Sequence, residues 1–233
     1  MSNAFDINVV DTTGLVRETA EAAGIGRRDL LRKGAIGAGG LVAGGAFFGI
    51  LDPAEAAIST RNKSKRNDVK ILQFAMTLEL LEAAFYRQAR ANNVAGDDAA
   101  LARYTQVVSA HEDDHVTFLR NALGRQRVKG LRFDFGAAVT NRDTYRTTAQ
   151  VLEDTGVSAY AGQGPNISQR TVVQAALSIH SVEARHAAWI RFLNGGGQPD
   201  ARTAALPAPR TFDRAQSERA VLAAVGKTGF IKG

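Results

Sequence analysis

Cysteine is absent from this chain of 233 residues. Disulfide bonds and thiolate metal sites are therefore excluded, and any metal ion has to be bound through nitrogen and oxygen, which favours zinc, iron or manganese. Strand-like patterns are scarce, and LRFDFG at 131–136 is the one short candidate. The composition, 45% hydrophobic and 22% charged, is that of a soluble globular protein with one sizeable core or at most two small domains.

The first 56 residues differ in composition from the rest of the chain. Arg27 and Arg28 precede a glycine-rich apolar run at 34–51, and the small residues of AEA follow at 54–56. This order predicts a twin-arginine export signal over 1–56, cleaved after Ala56. An uncleaved membrane anchor is the alternative, since about 18 apolar residues can just span a bilayer. Export by this route would place the protein in the periplasm, in the cell envelope or outside the cell.

Positive charge dominates the remainder of the chain. Without residues 1–56 it carries 24 Lys and Arg against 16 Asp and Glu. The basic residues are scattered, apart from RNKSKR at 61–66, and aromatic residues do not alternate with them. We therefore predict no nucleic-acid partner and interpret residues 57–67 as a solvated basic linker. The charge would serve solubility or association with the cell envelope.

Four stretches carry apolar residues at helical spacing. They predict helices over 68–91, 98–123, 141–161 and 168–194, the first with Asp68 available as its N-cap. About 17 residues without a strong pattern separate the second helix from the third, whereas the other connections are short. These features predict an all-α four-helix bundle over 68–194 with a long crossover between helices two and three. A proline-containing tail follows over 195–233, with a short helix near 217–225.

The stretch HEDDH, which begins at His111, allows two interpretations. In H-E-x-x-H, the zinc site of metalloproteases, His111 and His115 would hold the metal and Glu112 would be the general base. In E-x-x-H, which carboxylate-bridged di-metal sites use in pairs, only Glu112 and His115 would be ligands. The second interpretation gains support from EARH, where Glu183 and His186 repeat the spacing.

The first and third helices also resemble each other. LELLEAAFY and LEDTGVSAY both place a Leu-Glu pair seven residues before a tyrosine, which relates Glu79 and Tyr86 to Glu153 and Tyr160. Together with the repeated E-x-x-H, this correspondence indicates a duplicated helix pair. Glu82 lies one turn from Glu79 on the same face and is the alternative ligand from the first helix.

Ideal helix geometry directs the E-x-x-H residues into the bundle. The two residues of each motif lie about 60° apart on an apolar face, whereas Asp113 and Asp114 point outward. Buried carboxylates cost several kcal/mol each unless a cation neutralises them. Four glutamates carry about −4, which two divalent metals would balance. The predicted ligands of this di-metal site are Glu79, Glu112, His115, Glu153, Glu183 and His186.

Four further residues receive no ligand role. Tyr86 and Tyr160 are interpreted as core residues or neighbours of the site rather than as redox participants. His111 and His180 are extra to the ligand set and are interpreted as hydrogen-bonded or partly exposed histidines.

The complete set of motifs resembles the ferritin-like superfamily, which includes ferritins, bacterioferritin, rubrerythrin and manganese catalase. Glu79, Glu153 and the two E-x-x-H units carry this resemblance. LELLEAAFY, HEDDH, LEDTGVSAY and the C-terminal VLAAVGKTGFI are similar to bacterial ferritin-like proteins of the desiccation-related type, over about 68–230.

The resemblance implies a protein that binds two iron or two manganese ions and handles metal and oxygen or hydrogen peroxide in stress protection. It is compatible with a homo-oligomer. A non-catalytic bundle that sequesters metal, or that has a structural role in stress or desiccation, is the alternative. A zinc metalloprotease through HEDDH is a remote one, because the chain shows neither a suitable third ligand nor an edge strand.

Overall fold

The computed structural model describes residues 57–197 and 206–232, so the predicted export signal over 1–56 lies outside the described residues. The helices are α1 Lys65–Ala91, α2 Ala99–Leu123, α3 Arg142–Gln163, α4 Arg170–Asn194 and α5 Glu218–Thr228. Short 3-10 turns cover Gly124–Gln126, Gly136–Val139 and Gly164–Asn166, and two-residue strands, β1 Arg132–Phe133 and β2 Ile231–Lys232, pair antiparallel. The described part of the chain is therefore all-α, as predicted, with a minimal sheet. None of the described helices is long and apolar enough to cross a membrane.

The bundle consists of two helix hairpins. α1 packs mainly on α2 and α3 mainly on α4, while α1 also meets α3 and α2 also meets α4. The segment between α2 and α3 contains β1 and two 3-10 turns, in the place of the predicted crossover. β1 lies within the stretch predicted as a strand, but its partner β2 was not predicted, because two residues leave no detectable pattern.

Aromatic side chains join the crossover to the bundle and to the C-terminal segment. Phe85 of α1 stacks on Tyr145 of α3, with ring centroids 5.4 Å apart, and also contacts Phe135 of the crossover. Phe135 in turn meets Phe230 edge to face at 5.2 Å. The tail therefore packs on the bundle, and α5 contacts α3.

Polar side chains at the helix boundaries explain where the helices begin. Asp98 accepts a hydrogen bond from the backbone of Leu101 and caps α2, and Asn141 caps α3 in the same way. α1 begins at Lys65, three residues earlier than predicted, because the Ser64 side chain caps it. The last residues of the predicted linker, 65–67, are therefore helical.

Asp68 binds the residues that precede α4 and does not cap α1. Its buried carboxylate accepts hydrogen bonds from the backbone and side chain of both Ser168 and Gln169, over 2.8–3.0 Å. Gln169, at the N-cap of α4, provides no cap of its own with its side chain. The prediction of Asp68 as the N-cap of α1 is wrong, since Ser64 caps α1 and the Asp68 carboxylate instead binds the two residues that precede α4, which ties the two helices together.

Replacing Asp68 by asparagine is expected to destabilise the protein in a pH-dependent manner. Burial opposes ionisation of Asp68, but the four hydrogen bonds outweigh it and hold the pKa below its usual value. The stabilisation is therefore complete above the unfolded pKa of about 4 and is lost as the pH falls through the folded pKa. Urea unfolding at pH 7 should show a loss of about 2 kcal/mol, and the difference should shrink at about pH 3. An equal loss at both pH values would contradict this role.

The C-terminal segment lies directly against α3. The amide of Gln216 donates to the carbonyl of Ser158 over 2.9 Å, and a Cβ atom added to Gly162 would lie 1.8 Å from the carbonyl oxygen of Gln216. Gly164 has open space within 4 Å of such an atom and helical dihedral angles. Only glycine at position 162 therefore allows this close approach.

Gly162→Ala is expected to displace the C-terminal segment from α3. We expect a loss of about 1–3 kcal/mol of stability, the usual cost of overpacking, together with faster proteolysis near residue 216. Gly164→Ala is the matched control and should change neither. Thermal unfolding and limited proteolysis of both variants test this expectation, and indistinguishable behaviour of the two would refute it.

Candidate metal centre

Five glutamates and two histidines meet in the centre of the bundle. α1 contributes Glu79 and Glu82, α2 contributes Glu112 and His115, α3 contributes Glu153, and α4 contributes Glu183 and His186. The i, i+3 spacing on α2 and α4 turns both residues of each motif to the same inward face. All five carboxylates are at most 3% exposed. Such complete burial of like charges requires compensating cations or protons.

Six of these residues form two overlapping groups of close ligand atoms. Glu79, Glu112, His115 and Glu183 form the first group, which we call the His115 position. Glu112, Glu153, Glu183 and His186 form the second, which we call the His186 position. In each group the candidate ligand atoms lie within 4.8 Å of one another. The structure thus brings all six predicted residues together, and the two positions share Glu112 and Glu183.

At the His115 position the imidazole converges on three carboxylates. His115 Nδ1 lies 3.1 Å from Glu79 Oε2, 3.3 Å from Glu112 Oε2 and 3.1 Å from Glu183 Oε1. Its side chain is 12% exposed, whereas the carboxylates around it are at most 1% exposed. This side of the cluster is therefore the one closer to solvent.

At the His186 position the same pattern recurs with a more deeply buried imidazole. His186 Nδ1 lies 3.2 Å from Glu112 Oε1, 3.3 Å from Glu153 Oε2 and 3.9 Å from Glu183 Oε2. Only 3% of the His186 side chain is exposed. The repeated motifs thus form two similar but unequal candidate metal positions.

The charges of the cluster shift its pKa values in opposite directions. Burial, together with repulsion from Glu183 and Glu79, raises the pKa of Glu112 well above its usual value. Burial alone would also raise the pKa of Glu183, but the imidazoles of His115 and His186, whose Nδ1 atoms lie 3.1 and 3.9 Å from its carboxylate, lower it to about 2. Burial would lower the pKa of His186, yet the surrounding carboxylates raise it to about 12. Without a metal, the charge of the carboxylates is therefore balanced by the two imidazolium ions together with protons held on carboxylates such as Glu112.

The unsatisfied polar atoms of the cluster show that these residues suit metal ions. Glu112 Oε1, Glu153 Oε2, both carboxylate oxygens of Glu183 and His186 Nδ1 are buried and have no hydrogen-bond partner among the described residues. A buried polar atom without a partner costs about 1–3 kcal/mol. All of these atoms belong to the two candidate groups, and nitrogen and carboxylate oxygen are the donors that iron and manganese accept. The donor set therefore fits two divalent cations.

Glu82 lies beside the cluster but belongs to neither group. A Cβ atom added to Gly156 would lie 3.5 Å from Glu82 Oε1 and 3.4 Å from Glu183 Oε2, so both carboxylates border this glycine. Burial and repulsion, first from Glu183, raise the pKa of Glu82 well above its usual value. The geometry thus favours Glu79 over Glu82 as the ligand from α1 and places Glu82 where it can hold a proton next to the cluster.

The two tyrosines of the repeat contact the cluster across the bundle. The Tyr86 hydroxyl donates to Glu153 Oε1, and the Tyr160 hydroxyl donates to Glu79 Oε1 over 2.5 Å. Each tyrosine therefore holds the glutamate of the other repeat rather than the one on its own helix. Tyr104, which the sequence analysis missed, lies 2.8 Å from the Tyr86 hydroxyl and 3.3 Å from Glu153 Oε1. No repeat pattern could have identified Tyr104, because the matching position on α4 is Ala175.

His111 supports His186 from outside the two groups. His111 Nδ1 lies 2.9 Å from His186 Nε2, and the two rings stack with centroids 5.1 Å apart. This bond fixes the ring of His186 so that its Nδ1 faces the carboxylates. Because neither group contains His111, the geometry favours E-x-x-H over the two-histidine zinc site as the interpretation of HEDDH.

The remaining polar residues of the motifs lie outside the cluster. Asp114 is exposed, and Asp113 pairs with Arg87 at the surface over 2.8 Å, so both aspartates point outward as predicted. His180 is partly exposed, as expected, although its Nε2 atom is buried without a hydrogen-bond partner in the described part of the chain.

Removing the His111 side chain is expected to weaken metal binding at the His186 position. Loss of such a supporting hydrogen bond typically costs 10- to 100-fold in affinity, and we expect an effect of roughly this size for His111→Ala. His111→Asn, whose amide can replace Nδ1, should restore most of the affinity, and His180→Ala should have little effect. Competition with a chromophoric chelator for Mn²⁺ measures these affinities. Unchanged affinity in His111→Ala would contradict the supporting role.

Fold and site together define a four-helix bundle with an internal cluster of carboxylates and imidazoles. Residues 67–196, which include α2 to α4 and all of α1 except its first two residues, match the family model of the ferritin-like domain. This match covers more than half of the chain, and the protein therefore belongs to the ferritin-like domain family. A comparison with curated proteins gives no match for this chain.

Proposed function

We propose that the protein is a di-metal carboxylate protein that binds two iron or two manganese ions and handles metal together with oxygen or hydrogen peroxide. The observation that carries this proposal is the buried cluster itself. Its unsatisfied oxygen and nitrogen atoms lie in two groups that share two carboxylates. Shared carboxylates are the feature that distinguishes di-metal bundles from sites for a single ion.

Each residue of the cluster has a distinct role under this proposal. Glu112 and Glu183 would bridge the two positions, because both belong to both groups. Glu79 with His115, and Glu153 with His186, would complete the two positions separately. Bound there, two iron or two manganese ions would supply the redox chemistry for reactions of oxygen or hydrogen peroxide.

The surrounding residues would orient these carboxylates and supply protons. Tyr160 and Tyr86 each hold one oxygen of a terminal glutamate, Glu79 or Glu153, which leaves the other oxygen directed at a histidine. Glu82, with its raised pKa, could hold a proton close to Glu183. The donor atoms are equally suited to iron and manganese, so metal supply would decide which is bound.

We also propose that the protein acts after export, in the periplasm or cell envelope, in protection against oxidative stress or desiccation. The twin-arginine motif at Arg27 and Arg28 and the apolar run that follows support this location. Because the twin-arginine route carries folded proteins, the metal could be bound before export. An export form that is unfolded or free of metal would contradict this order of events.

Sequestration of metal without turnover is the second candidate function. The near-complete burial of the carboxylates favours it, since a substrate would have to enter the bundle to reach them. Oxygen consumption and peroxide decomposition by the iron- or manganese-loaded protein distinguish the two functions, with Glu112→Gln as the inactive control. Turnover in the unmodified protein alone supports catalysis. Tight binding without turnover supports sequestration, and absence of binding contradicts both.

A further inference from the structure

A second feature of the molecule, unrelated to the metal centre, is the charge at one end of the bundle. From residue 115 to residue 133 the chain contains five basic residues and no acidic one. Three of them, Arg120, Arg127 and Lys129, line one surface cleft of about 510 Å³ at the end of α2 and the start of the crossover. No acidic side chain of the described residues lines this cleft, and none forms an ion pair with these three cations.

The RNKSKR cluster lies at the same end of the bundle. The Gln73 side chain of α1 donates to the carbonyl of Gln126 over 2.8 Å, and Val69 packs on the group of buried residues that contains Leu123. The start of α1 and the end of α2 are therefore neighbours. Arg61, Lys63 and Lys65, which lie four to eight residues before Val69, are all exposed. Basic residues that appeared scattered in the sequence thus lie at one end of the bundle, which we call the basic end: Arg61, Lys63, Lys65, Arg120, Arg127 and Lys129.

The cleft combines its cations with apolar walls. Leu80, Leu131 and Phe133 line it together with the three basic residues. This combination suits the head group of an anionic amphiphile, whose phosphate would meet the cations while its glycerol and upper acyl carbons would meet the apolar side chains. A hydrophilic polyanion would contact the basic side chains of the cleft but would leave its apolar side chains without a partner.

The basic and apolar side chains that line the cleft together favour a membrane surface as its partner. We propose that the basic end is a docking surface for membranes that contain anionic phospholipids.

Vesicle binding by the full chain tests this proposal. The partition coefficient is measured for phosphatidylcholine vesicles with and without phosphatidylglycerol. Because the apolar run could bind both kinds of vesicle, the ratio of the two partition coefficients isolates the effect of lipid charge. Arg120→Gln, Arg127→Gln and Lys129→Gln are combined in one variant. At about 1 kcal/mol per basic residue, this triple variant is expected to lower the ratio on the order of 100-fold.

The control variant combines Arg103→Gln, Arg185→Gln and Lys227→Gln, which are exposed residues away from the cleft and change the net charge equally. It is expected to change the ratio less than about threefold, and unchanged melting temperatures verify that both variants fold. Equal losses in the two variants would show that net charge alone drives binding and would overturn the proposal. Displacement by inorganic phosphate would identify a free anion as the ligand instead. If the triple variant loses binding to duplex DNA but keeps vesicle binding, nucleic acid is the partner of the basic end. Either this result or displacement by phosphate would overturn the proposal.

Discussion

Glu112→Gln and Glu183→Gln are each expected to abolish metal binding at both positions while changing the stability of the metal-free protein in opposite directions. Each substitution removes a carboxylate that both groups share. Since loss of a supporting residue alone costs up to about 100-fold in affinity, loss of a shared ligand should cost more than about 100-fold. Calorimetric titration with Mn²⁺ measures this loss.

The stability of the metal-free variants provides the second measurement. The raised pKa of Glu112 shows that its carboxylate destabilises the fold, so a neutral glutamine should raise the free energy of unfolding by on the order of 1 kcal/mol. The lowered pKa of Glu183 shows that its carboxylate is stabilised by His115 and His186, so its loss should cost on the order of 2 kcal/mol at pH 7. This contribution is complete above the unfolded pKa and disappears as the pH falls towards the folded value of about 2.

Asp114→Asn serves as the control, because Asp114 lies on α2 with Glu112 but is exposed. It should affect neither metal binding nor stability. Retention of two binding events in either glutamine variant would show that the metals bind elsewhere. Shifts of the same sign in both metal-free variants would show that the charge distribution described above is wrong.

Removal of the metals is expected to lower the melting temperature of the protein by more than about 15 °C. A ligand that binds only the folded state at 1,000 times its Kd stabilises by about 4 kcal/mol, and two such ligands contribute roughly twice as much. For a chain of this size, each kcal/mol shifts the melting temperature by about 2–4 °C. Calorimetry before and after treatment with a chelator measures the shift.

Two controls test whether loss of metal itself causes the shift in melting temperature. Readdition of Fe²⁺ or Mn²⁺ should restore the original melting temperature, and the chelator should have no effect on Glu112→Gln. If chelation leaves the unmodified protein unchanged, the buried carboxylates are balanced by protons and imidazolium ions instead of metals.

The general architecture of the protein could be predicted from its sequence because it depends on local patterns. Apolar spacing located four long helices, and the predicted starts at 98 and 141 coincide with the observed N-cap residues of α2 and α3. The repeated E-x-x-H placed Glu112 and Glu183 on inward faces, where the structure has them. Helix periodicity alone determines these features.

Contacts between distant parts of the chain could not be predicted in this way. Asp68 looked like a cap for its own helix, yet its partners lie 100 residues further along the chain. The repeat relates Tyr86 to Glu79 by spacing alone, whereas the Tyr86 hydroxyl donates to Glu153 on another helix. No sequence pattern indicated that Tyr104 lies beside the cluster. Each of these depends on which helices become neighbours, and a linear pattern does not contain that information.

The spatial grouping of the basic residues could not be predicted from the sequence either. In the sequence, Arg120, Arg127 and Lys129 follow one another without forming a dense run, and RNKSKR is more than 50 residues away. The antiparallel packing of α1 on α2 brings the two stretches to one end. Net charge indicated the sign of a partner, but only the fold indicates where that partner would bind.

Elemental analysis of the protein purified without added metal, beside a Glu112→Ala, Glu183→Ala double variant, tests the metal centre most directly. About two iron or manganese ions per chain are expected in the unmodified protein, and none in the variant. One equivalent of zinc would revive the H-E-x-x-H interpretation. Absence of metal from both proteins would contradict the metal centre and leave a bundle that functions through its surface.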